Sequence, residues 1–203
     1  MDTIYRIETE RLILRCWDPA DAADVLAVIT DSEDHLGAWL PWVANRPRTV
    51  EAQAELLRCF RSRFDADREF VFGVFSKTGA CLGSLGLHRS IGPNALEIGY
   101  WLGRPSSGQG LGTEMVAAAC QAAIVALQAH RLEIHCAPDN LPSARIAARL
   151  GFTHEGTLSR RLTSGRGVHD MMLWSLWREA VGSLFATPRG TGFDVLGRRV
   201  FPT

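Results

Sequence analysis

The apolar positions in the first half of the chain predict two helices and a run of strands. A short apolar run at residues 12–14 predicts a strand, and Asp18 followed by proline has the N-cap and first-turn signature of a helix. Thr49 can cap a second helix, in which apolar residues recur at helical spacing up to Phe64. From Phe70 to residue 102 the period becomes that of strands separated by two short turns. This half therefore predicts helices followed by an antiparallel meander.

The second half predicts a long helix between two strands, and two further strands after them. A glycine-rich turn, S-G-Q-G-L-G at residues 107–112, leads into an alanine-rich helix over residues 111–129. That helix has one narrow polar stripe, at Glu114, Gln121 and Gln128, so we expect it to be largely buried. Further elements are a short helix at 143–150 and strands at 132–137, 152–159 and 168–177. The strands on either side of the long helix are expected to be neighbours in one sheet.

The order of these elements predicts an α/β (α+β) fold with a mixed, mostly antiparallel sheet flanked by helices. A length of 203 residues suits one domain. Residues 179–203 contain several glycines and prolines and show no clear period. Two interpretations stay open for this segment: a flexible tail of unknown role, or a segment that packs on the domain or on a second subunit.

The charge balance and the cysteines indicate which binding partners are not expected and which cellular compartment is expected. The 22 basic and 22 acidic residues cancel, so we expect neither nucleic acid nor an anionic membrane as a partner. The five cysteines are scattered, without a C-x-x-C pair and in apolar contexts, which favours buried thiols and a reducing, cytoplasmic location. His135 and Cys136 are adjacent on a predicted strand and point to opposite faces, so we expect no metal site there.

The glycine-rich turn is the strongest candidate for a ligand site. Gly108, Gly110 and Gly112 allow positive φ and a close approach of backbone N–H groups, and the following helix adds its unpaired N–H groups and positive dipole end. These features suit a phosphate or pyrophosphate. The spacing does not match G-x-G-x-x-G, and no Gly-Lys-Ser/Thr follows, so the dinucleotide and Walker patterns are excluded.

Four separated motifs in one order resemble the GNAT superfamily of N-acetyltransferases, in its RimJ/RimL branch of ribosomal-protein N-terminal acetyltransferases. The resemblance covers residues 8–178. The turn is similar to the family's coenzyme A loop, Q/R-x-x-G-x-G/A, at Gly110 and Gly112, with Ser107 in place of Gln or Arg. The other motifs are T-E-R-L-I-L-R at 9–15, L-E-I-G-Y-W-L at 96–102 and P-D-N-L-P-S-A-R-I-A-A-R-L-G-F at 138–152.

This resemblance implies a splayed sheet and a reaction in which an amine attacks the thioester of acetyl-CoA directly, with no side-chain nucleophile and no metal. It places acetyl-CoA, as co-substrate, against the glycine turn, the strand before it and the start of the short helix. The cofactor-binding residues it implies are Ile98, Tyr100, Leu102, Ser107, Gly108, Gln109, Gly110, Leu111, Gly112, Thr113, Asn140 and Ser143.

Two residues are candidates for catalysis. Glu97 is the candidate base. A carboxylate inside so apolar a strand would need a partner, or its pKa would rise toward the range in which a general base works near neutral pH. The alternative is an exposed or salt-bridged glutamate. The resemblance assigns Ser143 to the leaving sulfur, whereas Pro142-Ser143 alone suggests a helix N-cap. Tyr100 is a possible proton donor or a core residue. Trp39 and Trp42 are candidates to line the acceptor entrance or to cap the core.

Together these observations predict an acetyl-CoA-dependent N-acetyltransferase whose acceptor is a protein N-terminal α-amine, possibly ribosomal. An α-amine has a pKa of about 7.7 to 8.0, against about 10.4 for lysine, so a weak base suffices for it. The alternatives are a small amine or antibiotic as acceptor, a longer acyl-CoA as donor, and an inactive CoA-binding regulatory module. The sequence is compatible with a monomer or a homodimer.

Overall fold

The computed structural model describes residues 3–180 and 189–201. The α-helices are α1 (Ala22–Asp31), α2 (Glu33–Gly37), α3 (Val50–Asp65), α4 (Leu111–Val125) and α5 (Leu141–Arg149). The strands are β1 (Arg6–Glu8), β2 (Leu12–Cys16), β3 (Glu69–Ser76), β4 (Cys81–His88), β5 (Ala95–Leu102), β6 (Arg131–Cys136), β7 (Thr153–Ser164), β8 (Gly167–Trp177), β9 (Thr191–Phe193) and β10 (Arg199–Phe201). Short 3-10 turns cover Pro19–Asp21, Pro41–Asn45 and Arg104–Ser106.

All the described strands belong to one open sheet in the order β10-β9-β1-β2-β3-β4-β5-β6-β8-β7. β5 and β6 are parallel, and the other neighbouring pairs are antiparallel. The recorded pairing of β5 with β6 covers Ala95, Leu96 and Glu97 of β5, whereas β5 pairs with β4 as far as Leu102. Beyond Glu97 the two parallel strands therefore diverge, and the predicted splay is confirmed.

The sheet has an apolar core on each face. Residues of even number in β5, such as Ile98 and Tyr100, join the core that contains α4. Residues of odd number, such as Trp101, face the second core, formed with α1, α2 and α3 around the fully buried Trp17. Because strand side chains alternate between faces, Glu97 and Tyr100 project to opposite sides of the sheet. The site described below uses both faces where β5 and β6 diverge.

Asp18 and Thr49 are helix caps as the sequence predicts, whereas the start of α5 differs from the prediction. Asp18 caps the 3-10 turn that precedes α1, accepting from the Ala20 N–H at 2.9 Å, and Thr49 caps α3, accepting from Ala52 at 3.3 Å. α4 is buried along most of its length, as its narrow polar stripe predicts. α5 begins at Leu141, two residues before the predicted start, and its cap is Asn140.

The described part of the C-terminal segment packs on the domain. β9 pairs with β1, β10 pairs with β9, and the Phe201 side chain is fully buried in the core that contains α4. The Arg189 N–H also donates to Gln121 of α4 at 2.7 Å. A flexible tail is therefore wrong for residues 189–201. Residues 181–188 and 202–203 lie outside the described part of the chain.

The five cysteines are free thiols, as expected, but their predicted burial is wrong at one position. Cys16, Cys120 and Cys136 are buried, Cys81 is half-buried, and Cys59 is exposed on α3. Cys59 follows the buried Leu57 by two residues, a spacing that puts it on another face of a helix.

Candidate active site

The glycine turn adopts the left-handed conformation that its sequence predicts. Gly110 has φ +80° and occupies the N-cap position of α4, and Gly108 has φ +77°. A Cβ at Gly112 would lie 2.9 Å from Cδ1 of Ile146, so this third glycine allows α4 and α5 to approach each other. The first N–H groups of α4 have no partner within the helix. The turn can therefore present several N–H donors and the positive end of the helix dipole to an anion.

Side chains of Thr9 and Arg11, in the segment between β1 and β2, bond the glycine turn and the first turn of α4. The Arg11 guanidinium donates to the Gln109 carbonyl at 3.0 Å and to the Glu114 carboxylate at 2.6 Å. Glu114 also accepts from the Thr9 hydroxyl at 2.6 Å and from the Arg11 N–H at 2.9 Å. Burial opposes ionisation of Glu114, but these hydrogen bonds outweigh burial and lower its pKa. The T-E-R motif near the N-terminus therefore stabilises the turn.

Ser107, which replaces the family's Gln or Arg, bonds within the protein. Its hydroxyl donates to the Gly103 carbonyl at 3.2 Å and lies 3.3 Å from Nε2 of His35. Burial, and then the charge of Arg104, lower the pKa of His35. Arg104 thus lies near His35. The guanidinium of Arg11, by contrast, bonds the glycine turn directly. Arg104 is absent from the described residues that line the cavity below.

A cavity of about 620 Å³ opens where β5 and β6 diverge. Most of the residues that the sequence assigns to the cofactor line it, namely Ile98, Tyr100, Leu102, Ser107, Gly108, Gly110, Gly112, Thr113, Asn140 and Ser143. Two residues of the predicted set do not line it. Gln109 bonds the Pro105 carbonyl at 2.7 Å, and Leu111 is buried in the core.

Tyr100 and Ser143 meet on the α4 side of this cavity. Their hydroxyl oxygens are 2.9 Å apart. Burial raises the pKa of Tyr100 above its ordinary value, against the opposing effect of the bond to Ser143, so the phenol stays protonated. The helix cap belongs to Asn140, whose Oδ1 accepts from the Ser143 N–H at 3.4 Å, so the N-cap interpretation of Ser143 is wrong. The two hydroxyls form a pair that can donate a proton inside the cavity.

Glu97 lines the same cavity on the opposite face of the sheet. It is the last residue of β5 that pairs with β6. Its Oε2 accepts from the Ser90 hydroxyl at 3.0 Å, and its Oε1 lies 3.5 Å from Nδ1 of His135. About a third of its side chain is exposed. Glu97 is thus both partnered and accessible, as a base that receives a proton from a bound molecule must be.

The tip of the β7–β8 hairpin contacts the end of α2 near the cavity. The Gly165 N–H, at the tip of the β7–β8 hairpin, donates to the Gly37 carbonyl at 3.1 Å. The neighbouring Arg166 guanidinium lies 4.9 Å from the centre of the Trp39 ring. Trp39 lines the cavity as predicted, whereas Trp42 lies outside the lining and packs against Trp101 with ring centres 5.9 Å apart. The contact between Gly165 and Gly37 joins the tip of the β7–β8 hairpin to the end of α2, next to the lining residues Trp39 and Ser164.

Sequence reasoning missed His135 as a member of this site. It lies on β6, lines the cavity beside Glu97 and bonds Glu133 at 2.7 Å. Its signal was present in the sequence, because Arg131, Glu133 and His135 alternate with apolar residues and so share one face of a buried strand. Arg11 and the hairpin tip were also missed, since both act through contacts distant in sequence.

Two features are absent from the described residues. Among residues 3–180 and 189–201, no cluster of three or more His, Cys, Asp or Glu side chains could hold a metal ion. Within the same ranges, no helix is long and apolar enough to cross a membrane.

Comparison with known proteins identifies similar chains along most of the length. The sequence model of the family described as "Acetyltransferase (GNAT) domain" matches residues 11–153. The "Probable N-acetyltransferase YjcK" of Bacillus subtilis (strain 168) is 28% identical over 168 residues, which are 81% of this chain and 92% of that protein. The ribosomal protein uS5-alanine N-acetyltransferase of Escherichia coli (strain K12) is 25% identical over 197 residues, which are 92% of this chain and 93% of that protein. The solved structure of Mycobacterium smegmatis RimJ in complex with CoA-disulfide is similar with a TM-score of 0.79 at 25% identity, covering 93% of this chain and 96% of that one.

Proposed function

Because the chain belongs to the acetyltransferase (GNAT) domain family, it is an acetyl-CoA-dependent N-acetyltransferase, and we propose that its acceptor is the N-terminal α-amine of a protein. The observation that carries this proposal is the partly exposed Glu97 in the lining of the cavity, on the face of the sheet opposite the hydroxyl pair. A single carboxylate base suits an amine that loses its proton readily, as a chain-terminal α-amine does. The Escherichia coli relative that matches 92% of the chain is, by its name, an N-acetyltransferase of an alanine of the ribosomal protein uS5, which supports a protein acceptor.

The residues present fit acetyl-CoA at each point where the structure can be compared with it. The glycine turn is open: a Cβ at Gly108 would meet nothing within 4 Å, which leaves room for phosphate oxygens against the backbone. The backbone of Ile98 to Leu102, on the side facing β6, is left without a strand partner among the recorded pairs. That edge can bond the amide groups of a pantetheine arm as an added strand does. When bound, acetyl-CoA supplies the activated acetyl group.

The side chains of this chain can carry the proton transfers that the reaction needs. Glu97 removes a proton from the incoming ammonium, and its partial exposure keeps it within reach of the amine. On the other face, the Tyr100 and Ser143 hydroxyls can deliver a proton to the departing sulfur. An α-amine loses its proton about 2.5 pKa units more easily than lysine, a free-energy difference of about 3.4 kcal/mol. A single carboxylate base therefore suits an α-amine better.

Release of free thiol from acetyl-CoA tests the proposal with three matched acceptors. A short peptide with a free N-terminus and no lysine should react. The same peptide with a blocked N-terminus and one internal lysine should react at least about tenfold more slowly, and so should a small polyamine. A preference for lysine or the polyamine would overturn the proposed acceptor. Tight CoA binding without thiol release from any amine would instead indicate a binding module.

A further inference from the structure

A row of four charged or titratable side chains runs from the cavity into the sheet. Glu97 Oε1 lies 3.5 Å from His135 Nδ1, His135 Nε2 lies 2.7 Å from Glu133 Oε2, and Glu133 Oε1 lies 2.8 Å from Arg131 Nε. The exposed fraction of the side chain falls from 31% at Glu97 to 14% at His135 and 8% at Glu133, and it is 30% at Arg131. Buried charges are costly unless they are paired, so such a row needs a reason.

The hydrogen bond to Glu133 fixes where the proton of the imidazole lies. An ionised carboxylate can only accept, so His135 donates its Nε2 proton to Glu133. If the His135 ring is neutral, its Nδ1 carries a lone pair and no hydrogen. Nδ1 and the Glu97 carboxylate are then both acceptors and cannot form a hydrogen bond with each other. A proton between Glu97 and Nδ1 turns this contact into a charge-assisted hydrogen bond. The contact between Glu97 and His135 therefore lacks one proton.

The row joins two carboxylates, one imidazole and one guanidinium, so its acidic groups outnumber its permanent cation. Other titratable side chains near this row, among the described residues, have partners. Glu155 accepts from the hydroxyl of Ser175, the residue that pairs with Glu133 across β6 and β8. His88, opposite Glu97 on β4, lies 2.6 Å from Glu69, and His169 of β8 bonds Ser164 at 3.0 Å.

We propose that His135, held by Glu133, is a positioning residue that orients Glu97 and takes over the proton that Glu97 removes from the acceptor. An N–H bond of the ammonium breaks and an O–H bond forms on Glu97; the proton then passes to Nδ1 of His135 and no electrons are transferred. Glu97 is thereby restored as a carboxylate. This role rests on the proposed function, since it requires a protonated amine in the cavity.

A double-mutant cycle of Glu97→Gln and His135→Gln tests this role. In the wild-type background His135→Gln should lower kcat about tenfold, with the KM for acetyl-CoA unchanged. In the Glu97→Gln background the same change should alter kcat by less than about twofold, because the residue it serves is gone. His130→Gln, at an exposed histidine, is the matched control and should leave kcat unchanged.

An acceptor that carries no ammonium proton separates this role from simple packing. With an aminooxy compound, neutral at pH 7, the loss caused by His135→Gln should shrink to about twofold, whereas a packing defect would slow both acceptors equally. Glu133→Gln, a change of the same shape, should reproduce the pattern if His135→Gln lowers stability.

Each outcome separates the inference from the proposed function. An active wild type with a slow Glu97→Gln variant and a full-rate His135→Gln variant would overturn the inference alone. Equal and additive losses in both backgrounds, or equal losses with both acceptors, would do the same. A wild type inactive with every amine would overturn the proposed function.

Discussion

Replacing Gly110 by alanine should weaken CoA binding out of proportion to its effect on folding. Gly110 has φ +80°, where an L-residue pays about 1 to 2 kcal/mol. The added Cβ would meet Arg11 Nη2 at 3.5 Å, an ordinary contact, so the cost lies in the backbone conformation. In a chain of this length, 1 kcal/mol lowers Tm by about 2 to 4 °C.

The expected loss of CoA affinity follows from the backbone N–H groups, because the left-handed conformation of Gly110 directs them toward the phosphate position. If φ relaxes to a negative value, one or two N–H groups of the turn point away from the phosphate position. A hydrogen bond to a charged group contributes about 1.5 to 3 kcal/mol, so losing one raises Kd about ten- to a hundredfold. Titration calorimetry with CoA measures this, and thermal denaturation measures the folding cost.

Gly197→Ala is the matched control for Gly110→Ala. Gly197 has φ +76° in the turn between β9 and β10, and a Cβ there would also meet no close neighbour. It should show a similar loss of Tm with unchanged CoA affinity. A Gly110→Ala variant that binds CoA as tightly as the wild type, with a Tm loss equal to that of Gly197→Ala, would refute the assignment of the turn.

Three further changes test other parts of the structure. Ser143→Ala should lower kcat about tenfold with little change in Tm. Asn140→Ala should cost about 1 kcal/mol of stability, because Asn140 caps α5. A large loss of Tm for Ser143→Ala with unchanged kcat, together with unchanged Tm for Asn140→Ala, would contradict both roles. Glu114→Gln should destabilise at pH 7 in urea unfolding. Because the folded-state pKa of Glu114 is lowered, its contribution is present above the unfolded value near 4.5 and is lost as pH falls, so wild type and variant should converge at low pH; a gap that persists there would be unexpected. Phe201→Ala should cost about 3 to 5 kcal/mol against less than about 0.5 for the exposed Leu196→Ala, and equal costs would show that the C-terminal hairpin does not stabilise the domain.

Local sequence signals predicted most of the central sheet and its helices. Thr49 and Asp18 are caps that act within three residues, and the alternation in β3, β4 and β5 reflects burial on two faces. The glycine turn could also be predicted, because closely spaced glycines before a helix allow the positive φ that Gly110 adopts. These features depend on neighbours in sequence.

The features that sequence could not supply depend on long-range contacts. β9 and β10 are three residues each and gain their stability from β1 and from the burial of Phe201, so no local period marks them. Arg11 contacts residues about a hundred positions away, and Gly165 at the tip of the β7–β8 hairpin bonds Gly37 at the end of α2. Ser143 looked like a cap, because the proline before it suits either a cap or a first helical turn.

The most direct measurement of the central claim is mass spectrometry of protein N-termini and small amines in cells that lack the gene. Cells supplied with the wild-type gene should acetylate the α-amine of one or a few proteins, and cells supplied with Glu97→Gln should lose that modification. Restoration of lysine or small-amine acetylation, with no change at any protein N-terminus, would contradict the claim.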